Sequence, residues 1–344
     1  MSVWRSIARR FIRRVISSIP AIIGVVIVTF ILMRVLPSDP AVFFTSSSVT
    51  AGQAEIDSMR KKMGLDQPLP LQLGMYLRDV ARGDLGNSLT TNQPVVKDLL
   101  RRLPASLELT FVALVLALAT SIPLGVLSAL RSGSLIDHAV RFLCTIGVCM
   151  PTFVSGLMLV YVFYYLLGIA PDPTGRIDIF VASPPDITGF LLIDLALIGD
   201  WAGWRSALDN IILPACTMAL FVLAPLTRMT RASMLGVLGS EFVRTAKSVG
   251  LHSWRIVVVY ALRNALLPVL TMAGVVFSTM LGANVLVEKV FSWPGVASYA
   301  LDALMASDYA PVQGFVLLMA FIFVLVNLTV DVLYGMADPR VSIE

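Results

Sequence analysis

Charge is scarce in this chain. Asp, Glu, Lys and Arg make up 14% of its 344 residues, against about 25% in an average soluble domain. With 57% hydrophobic residues, a soluble fold of this size could not cover its apolar surface without exposing aggregating patches, so a soluble globular enzyme is excluded. Cysteine is scarce too. Cys144, Cys149 and Cys216 are an odd set in apolar surroundings, without zinc-ligand spacing or a paired framework, and read as small core residues. The two histidines, His138 and His252, form no helical His-Glu pair for zinc. No lysine follows a glycine and no Gly-Lys-Ser/Thr occurs, so the loop with which ATPases cradle phosphates is missing. The chain is expected to be no enzyme and to hold no metal or cofactor of its own.

Long apolar runs, by contrast, are abundant. A helix crossing the hydrocarbon of a bilayer needs about 20 apolar residues, and six stretches free of Asp, Glu, Lys and Arg come close: 15–33, 109–130, 142–170, 210–227, 264–287 and 311–330. The run Ile187 to Gly199 is too short to span, contains Asp194, and reads as interfacial or partly buried. The first run follows arginines, as a signal peptide does, but Arg34-Val35-Leu36-Pro37 stands where a small-residue cleavage site belongs, so it reads as a retained anchor. The expectation is an all-α polytopic membrane protein with six transmembrane helices.

The positions of the bases give an orientation. Lys and Arg concentrate in cytoplasmic loops, and Arg5, Arg9, Arg10, Arg13 and Arg14 precede the first run with no acid among them. Segment 131–141 holds Arg131 and Arg141, and segment 228–263 holds six bases against Glu241. On the alternate side, 171–209 and 291–310 are dominated by aspartate. Both termini are therefore expected to be cytoplasmic. Segment 34–108 is the exception, carrying Arg60, Lys61, Lys62, Arg78 and other bases, but connections this long cross largely regardless of charge. It is expected to form a small outside subdomain, with helical patterns at 51–63 and Leu71–Ala81 and turns at Gly64-Leu65-Asp66 and Gly83-Asp84-Leu85-Gly86. The net charge of +4 is then a record of membrane topology, and with its bases divided among loops the chain is not expected to bind nucleic acid.

Pro20, Pro123, Pro151, Pro214, Pro225 and Pro268 fall within the runs and are expected to kink their helices, serving either rocking motion or simple packing. Ion-driven carriers place carboxylates mid-span, where a charge costs at least ~2.5 kcal/mol; these runs contain none. Arg34, Glu108, Glu288 and Asp331 flank run ends, where snorkelling or a local pair accounts for them. Energy for transport would have to come from a partner. A self-contained channel or ion-driven carrier, and a receptor or scaffold without transport, are the alternatives.

Segment 228–263 is too long for a tight turn and reads as two short helices in water. Ser240 is an N-cap, Glu241 suits the positive helix start and Lys247 the negative end, and Gly250 supplies a left-handed stop. Ser253 caps the second helix, which runs to Leu262. Phe242, Ala246 and Val249 form one apolar stripe on the first helix, with Arg244 and Lys247 off it. The stripe either packs back on the protein's own helix ends or faces a partner.

Three stretches of this region are Arg228-Met229-Thr230-Arg231-Ala232-Ser233-Met234, Glu241-Phe242-Val243-Arg244-Thr245-Ala246-Lys247-Ser248-Val249-Gly250 and Arg263-Asn264-Ala265-Leu266-Leu267-Pro268. Together they closely resemble the inner-membrane permeases of binding-protein-dependent ABC importers, in the dipeptide/oligopeptide branch. The resemblance extends through Met33-Arg34-Val35-Leu36-Pro37-Ser38-Asp39-Pro40, Gly83-Asp84-Leu85-Gly86-Asn87-Ser88, Val287-Glu288-Lys289-Val290-Phe291-Ser292-Trp293-Pro294-Gly295, Asp331-Val332-Leu333-Tyr334 and Asp338-Pro339-Arg340. It implies a MetI-like ABC permease fold divided into a cytoplasmic N-terminus (1–14), a first helix (15–36), an extracytoplasmic subdomain (37–102), a transmembrane domain (103–335) containing the loop 228–263, and a cytoplasmic tail (336–344).

In that family the loop forms coupling helices seated in a cleft of the ATP-hydrolysing subunit. The resemblance assigns this ATPase-coupling role to Glu241, Phe242, Arg244, Thr245, Ala246, Gly250, Leu251, Arg263 and Pro268. Gly250 matches the family's loop glycine, and Arg244-Thr245-Ala246 replaces the wider family's Glu-Ala-Ala, a departure usual in the peptide branch. The implied partners are a homologous second permease, two ABC ATPase subunits (or a homodimer of one) that carry ATP and Mg, an extracytoplasmic substrate-binding protein and the lipid bilayer of a bacterial inner membrane. The implied cargo is a di- or oligopeptide, with glutathione, a nickel chelate or an oligosaccharide as alternatives. It names no residue of the substrate path.

Overall fold

The computed structural model describes residues 17, 19–32, 34, 57, 61, 66–178, 180–182 and 184–337. The patterns expected at 37–56 and the two chain ends lie outside them, as does most of the helix expected at 51–63. All regular structure among the described residues is helical. Among the described residues, four helices are long and apolar enough to cross a membrane, or five if one bent pair counts as a single span. The first run supplies a shorter apolar helix, α1 (Ile19–Leu32). The others are α2 (Leu69–Ala81), α3 (Val95–Leu130), α4 (Leu135–Cys149), α5 (Thr152–Leu159), α6 (Leu191–Ile198), α7 (Trp201–Leu238), α8 (Glu241–Ser248), α9 (Ser253–Val290), α10 (Val296–Met305) and α11 (Tyr309–Ala337).

The chain divides into two units. One comprises 105–293 with 325–337 and is built on α3, α7 and α9. Ala105, Leu109, Ala113 and Ala117 recur every fourth residue along α3 and are all at most 2% exposed, forming one ridge of mostly small side chains. They share a core with Ile211 and Val222 of α7 and Met280 of α9. α9 and α11 meet closely at Gly274, where an added Cβ would stand 2.0 Å from Val330 Cγ2 and 3.2 Å from its Cβ. A β-branched neighbour can yield only by leaving its preferred rotamer or by a backbone shift. Gly274→Ala should therefore destabilise the protein by about 1–3 kcal/mol, and Val330→Ala in the same chain should restore most of the loss. Melting of the detergent-solubilised protein checks both.

The prolines behave in two ways. Pro214 and Pro225 stay inside α7, and Pro268 inside α9. At Pro151 the run 142–170, expected as one span, breaks: α4 and the helix that starts at Thr152 are bent by 104°. Met150, which precedes the proline, is extended (φ −88, ψ 131), because the proline ring disfavours a helical residue before it. α5 then continues as a π-helical stretch, Val160–Leu166.

α6 corresponds to the short apolar run. Its Asp194 is 2% exposed and accepts the Thr188 hydroxyl at 2.6 Å and the amides of Thr188, Gly189 and Ile187 at 2.8, 3.1 and 3.4 Å. Burial works against its charge, but these bonds outweigh burial and hold the carboxyl below the usual carboxylate range. The sign follows from that lowered value. The stabilisation is complete above the unfolded value of about 3.9 and is lost as pH falls through the lower folded value. Amide exchange at residues 187–189, corrected for intrinsic rate, should stay slow down to about pH 4 and accelerate below it. In Asp194→Asn that step should disappear.

The second unit comprises described residues within 12–104 together with 294–324. α3 starts at Val95, inside the segment assigned from sequence to the outside subdomain. Val95, Leu99, Val296 and Tyr299 form the unit's core, and Phe30 of α1 stacks on Tyr76 of α2 with ring centroids 5.7 Å apart. The glycine turn appears as expected, with Gly83 and Gly86 both at φ +80. Asp308, between α10 and α11, is fully buried. Its Oδ2 accepts Ser88 Oγ at 2.7 Å, Leu89 N at 2.7 Å, Thr90 N at 3.1 Å and Thr90 Oγ1 at 3.2 Å.

Candidate functional site

The segment from 228 to 263 is less loop than its sequence suggests. α7 continues through Leu238, and the helix that begins at Ser253 passes Leu262 as a π-helical stretch and runs on to Val290. One short helix, α8, hangs between two long ones. Expected caps differ in detail. Ser240 has the extended backbone of an N-cap, but its hydroxyl donates to Val237 O at 2.6 Å rather than accepting from α8. The cap before α9 is His252, whose Nδ1 accepts Trp254 N at 3.3 Å, and Ser253 is already helical.

Within α8, Glu241 accepts Arg244 Nη1 at 2.9 Å, but the two side chains are 84% and 72% exposed, so this pair contributes little. Thr245 Oγ1 donates to Glu241 O at 3.0 Å. Gly250 ends the helix at φ +80, with its amide on Lys247 O at 3.0 Å and the Leu251 amide on Ala246 O at 3.2 Å. Left-handed backbone of this kind is cheap for glycine and costly for a β-branched residue.

The expected stripe is not the buried face of the helix. Val243 is fully buried where α8 packs against the π-helical stretch of α9, Ala246 is half-buried at the edge, and Phe242 and Val249 are 44% and 73% exposed. Trp254, at the start of α9, is 70% exposed. The helix thus anchors itself through Val243 and presents a separate apolar face to its surroundings. Residues 241–251 form one local site. Arg263 and Pro268 do not join it: both are exposed on α9 beyond the connection.

Buried charge is what sequence reasoning passed over. Glu108 neither snorkels nor pairs locally: its carboxylate accepts Arg176 Nη2 at 2.5 Å and Leu192 N at 2.8 Å. Arg176 also donates to Gly189 O at 3.2 Å and lies over the Trp293 ring at 5.9 Å. Glu288 is fully buried and accepts Ser106 Oγ at 2.5 Å and Asn284 Nδ2 at 2.9 Å. Asn284 and Glu288, four apart on one helix face, carried the only local signal. Partners such as Ser106 are 182 residues away in sequence.

An apolar cavity of about 340 Å³ lies between α3, α9 and α11, lined by Phe111, Leu114, Leu267, Phe277 and Val330 among others. The hydroxyls of Thr271 and Thr329 in its wall donate to the carbonyls of Leu267 and Leu325 of their own helices. Its wall therefore offers little to the charged ends of a peptide.

Residues 121–343 match the family of binding-protein-dependent transport system inner membrane components, and residues 7–110 match the N-terminal region described for such components. The chain is 41% identical over 319 residues to the probable D,D-dipeptide transport system permease protein DdpB of Escherichia coli K12, covering 93% of each. It is 41% identical over 329 residues to the di/tripeptide transport system permease protein DppB of Pseudomonas aeruginosa, covering 96% of this chain and 97% of that one. Among solved structures, the inward-facing MetNI methionine ABC transporter aligns with 70% of this chain and 96% of its own, at 16% identity and a TM-score of 0.49.

Proposed function

Since this chain belongs to the family of binding-protein-dependent transport system inner membrane components, we propose that it is the transmembrane permease subunit of an ATP-driven importer of di- and oligopeptides. Peptide cargo is supported by relatives named as D,D-dipeptide and di/tripeptide permeases. Glutathione, a nickel chelate or an oligosaccharide would require different recognition by a binding protein outside. In this reading the chain spans a bacterial inner membrane six times with both termini in the cytoplasm. It carries a subdomain outside after its first helix and pairs with a homologous permease. Two ATPase subunits hold ATP and Mg and perform the hydrolysis.

The observation that carries the coupling assignment is the connection built on α8, a short helix between two long ones, where Phe242 on α8, Val249 at its end and Trp254 at the start of α9 are exposed. Exposed apolar groups of this size on the water-facing side ask for a partner, and the cleft of an ATPase subunit would cover them. ATP closing the ATPases then moves α8, and the helices attached to it rock between inward-open and outward-open states. ATP must favour one of these states, because a ligand with equal affinity for both shifts nothing. A photoreactive side chain placed at Val249 in the assembled complex tests the assignment. It should form an adduct with an ATPase subunit; adducts confined to lipid or to this chain would contradict it.

A further inference from the structure

The ends of α3, α4 and α7 nearest the 239–252 connection are held together by one buried carboxylate, Asp137, which is 1% exposed. Arg231 of α7 clasps it with both arms of its fork, Nε on Oδ1 at 2.8 Å and Nη2 on Oδ2 at 2.7 Å. Ser128 of α3 donates its hydroxyl to Oδ1 at 2.5 Å, and the Gly133 amide donates to Oδ2 at 3.0 Å. Arg231 Nη2 also reaches Ser132 Oγ at 3.1 Å, and half-exposed Arg141 stands 3.6 Å from Oδ1. A carboxylate this deeply buried is held by its partners, and a bidentate guanidinium fixes orientation as well as distance.

The packing around this clasp is equally close. An added Cβ at Gly125 of α3 would stand 2.5 Å from Thr230 Cβ, beside Arg231. Val140 and Cys144 of α4 pack with Ala224 of α7, while Ala129 of α3 packs with Met234 of α7 and with Ala261 and Ala265 of α9. Arg231 lies two turns before the end of α7 at Leu238, on the stem that carries α8.

We propose that Asp137 is a positioning residue for coupling: by fixing the α7 stem to the turn between α3 and α4, it makes a displacement of α8 move three helices as one block. Without the clasp, the stem yields and the displacement is absorbed before it reaches the spans. Asp137 touches neither ATP nor peptide in this account. The inference rests on the coupling role proposed for α8.

The test uses the complete complex of both permeases, ATPases and binding protein in vesicles, and reads ATP hydrolysed per peptide taken up. Asp137→Asn keeps the shape and removes the charge; Arg231→Lys keeps the charge and removes the fork. The ratio should rise about tenfold or more in Asp137→Asn and by a smaller factor in Arg231→Lys. If Asp137→Asn fails to assemble, Arg231→Lys carries the test. A wild-type ratio in both, including an equal loss of hydrolysis and uptake, would overturn the proposal. Gly250→Val separates the two readings. If it uncouples while the clasp variants do not, the clasp alone falls; if all three keep the wild-type ratio, the coupling role of α8 falls with it.

Discussion

Asp308→Ala should release the turn at 88–90 while leaving the long helices folded. Asp308 Oδ2 is the shared acceptor for two backbone amides and two hydroxyls, and a methyl group in its place takes the acceptor from the part-buried amides of Leu89 and Thr90, while the Ser88 and Thr90 hydroxyls keep each other at 2.9 Å. Each orphaned group costs about 1–3 kcal/mol. Relief comes by opening the turn to water, so the local loss should approach about 3 kcal/mol, which raises amide exchange at Leu89 and Thr90 by about 100-fold. Asp308→Asn retains one acceptor oxygen and should fall between. Exchange unchanged in Asp308→Ala would show that the carboxylate is not what holds the turn.

Gly250→Val should uncouple the transporter with little effect on its insertion. At Gly250 the space around an added Cβ is open, so the penalty is confined to the backbone. At φ +80, a β-branched residue sits outside its allowed regions, at a cost of about 1–2 kcal/mol. The chain can avoid that cost by unwinding the end of α8, which displaces Val249 and Leu251 relative to Val243. A rigid lever with a shifted face transmits less, and peptide uptake per ATP should drop about tenfold or more. Asn tolerates the left-handed region, so Gly250→Asn should remain close to wild type. The graded pair distinguishes backbone geometry from mere loss of glycine, and is measured in vesicles holding the full complex.

Much of the fold was legible because the bilayer imposes a simple rule on composition. Runs 210–227 and 264–287 each fall inside a long helix, and Gly83, Gly86 and Gly250 take the left-handed backbone that their surroundings suggested. What escaped has a common physical origin. Treating every charge as the end of a span cut α3 at Glu108 and α9 at Glu288, although both helices run through these residues. Inside a bundle a carboxylate is tolerated once hydrogen bonds satisfy it, and here the partners are Arg176 and Ser106, far away in sequence. Proline carried a second ambiguity. Pro214 and Pro151 look alike in an apolar run, yet α7 continues past the first while the chain turns by 104° at the second.

The candidate site was legible in its position and less so in its faces. Helical periodicity placed Phe242, Ala246 and Val249 on one stripe. It could not show that Val243, one residue off, is the side chain that anchors the helix, because that depends on where the π-helical stretch of α9 passes. The clasp at Asp137 was invisible for the same reason that Glu288 was: Arg231 is 94 residues away. The basic cluster of segment 228–263 stands out by its charge and its place in the topology, while one of its members, Arg231, is committed to a buried carboxylate.

The central claim is that this chain conducts peptides only as the membrane part of an ATP-driven assembly. Uptake of a labelled dipeptide into vesicles tests it most directly, comparing this chain alone, the assembly without ATP, and the assembly with ATP and binding protein. The account predicts accumulation in the last case only. Dipeptide flux through vesicles that hold this chain alone would contradict it.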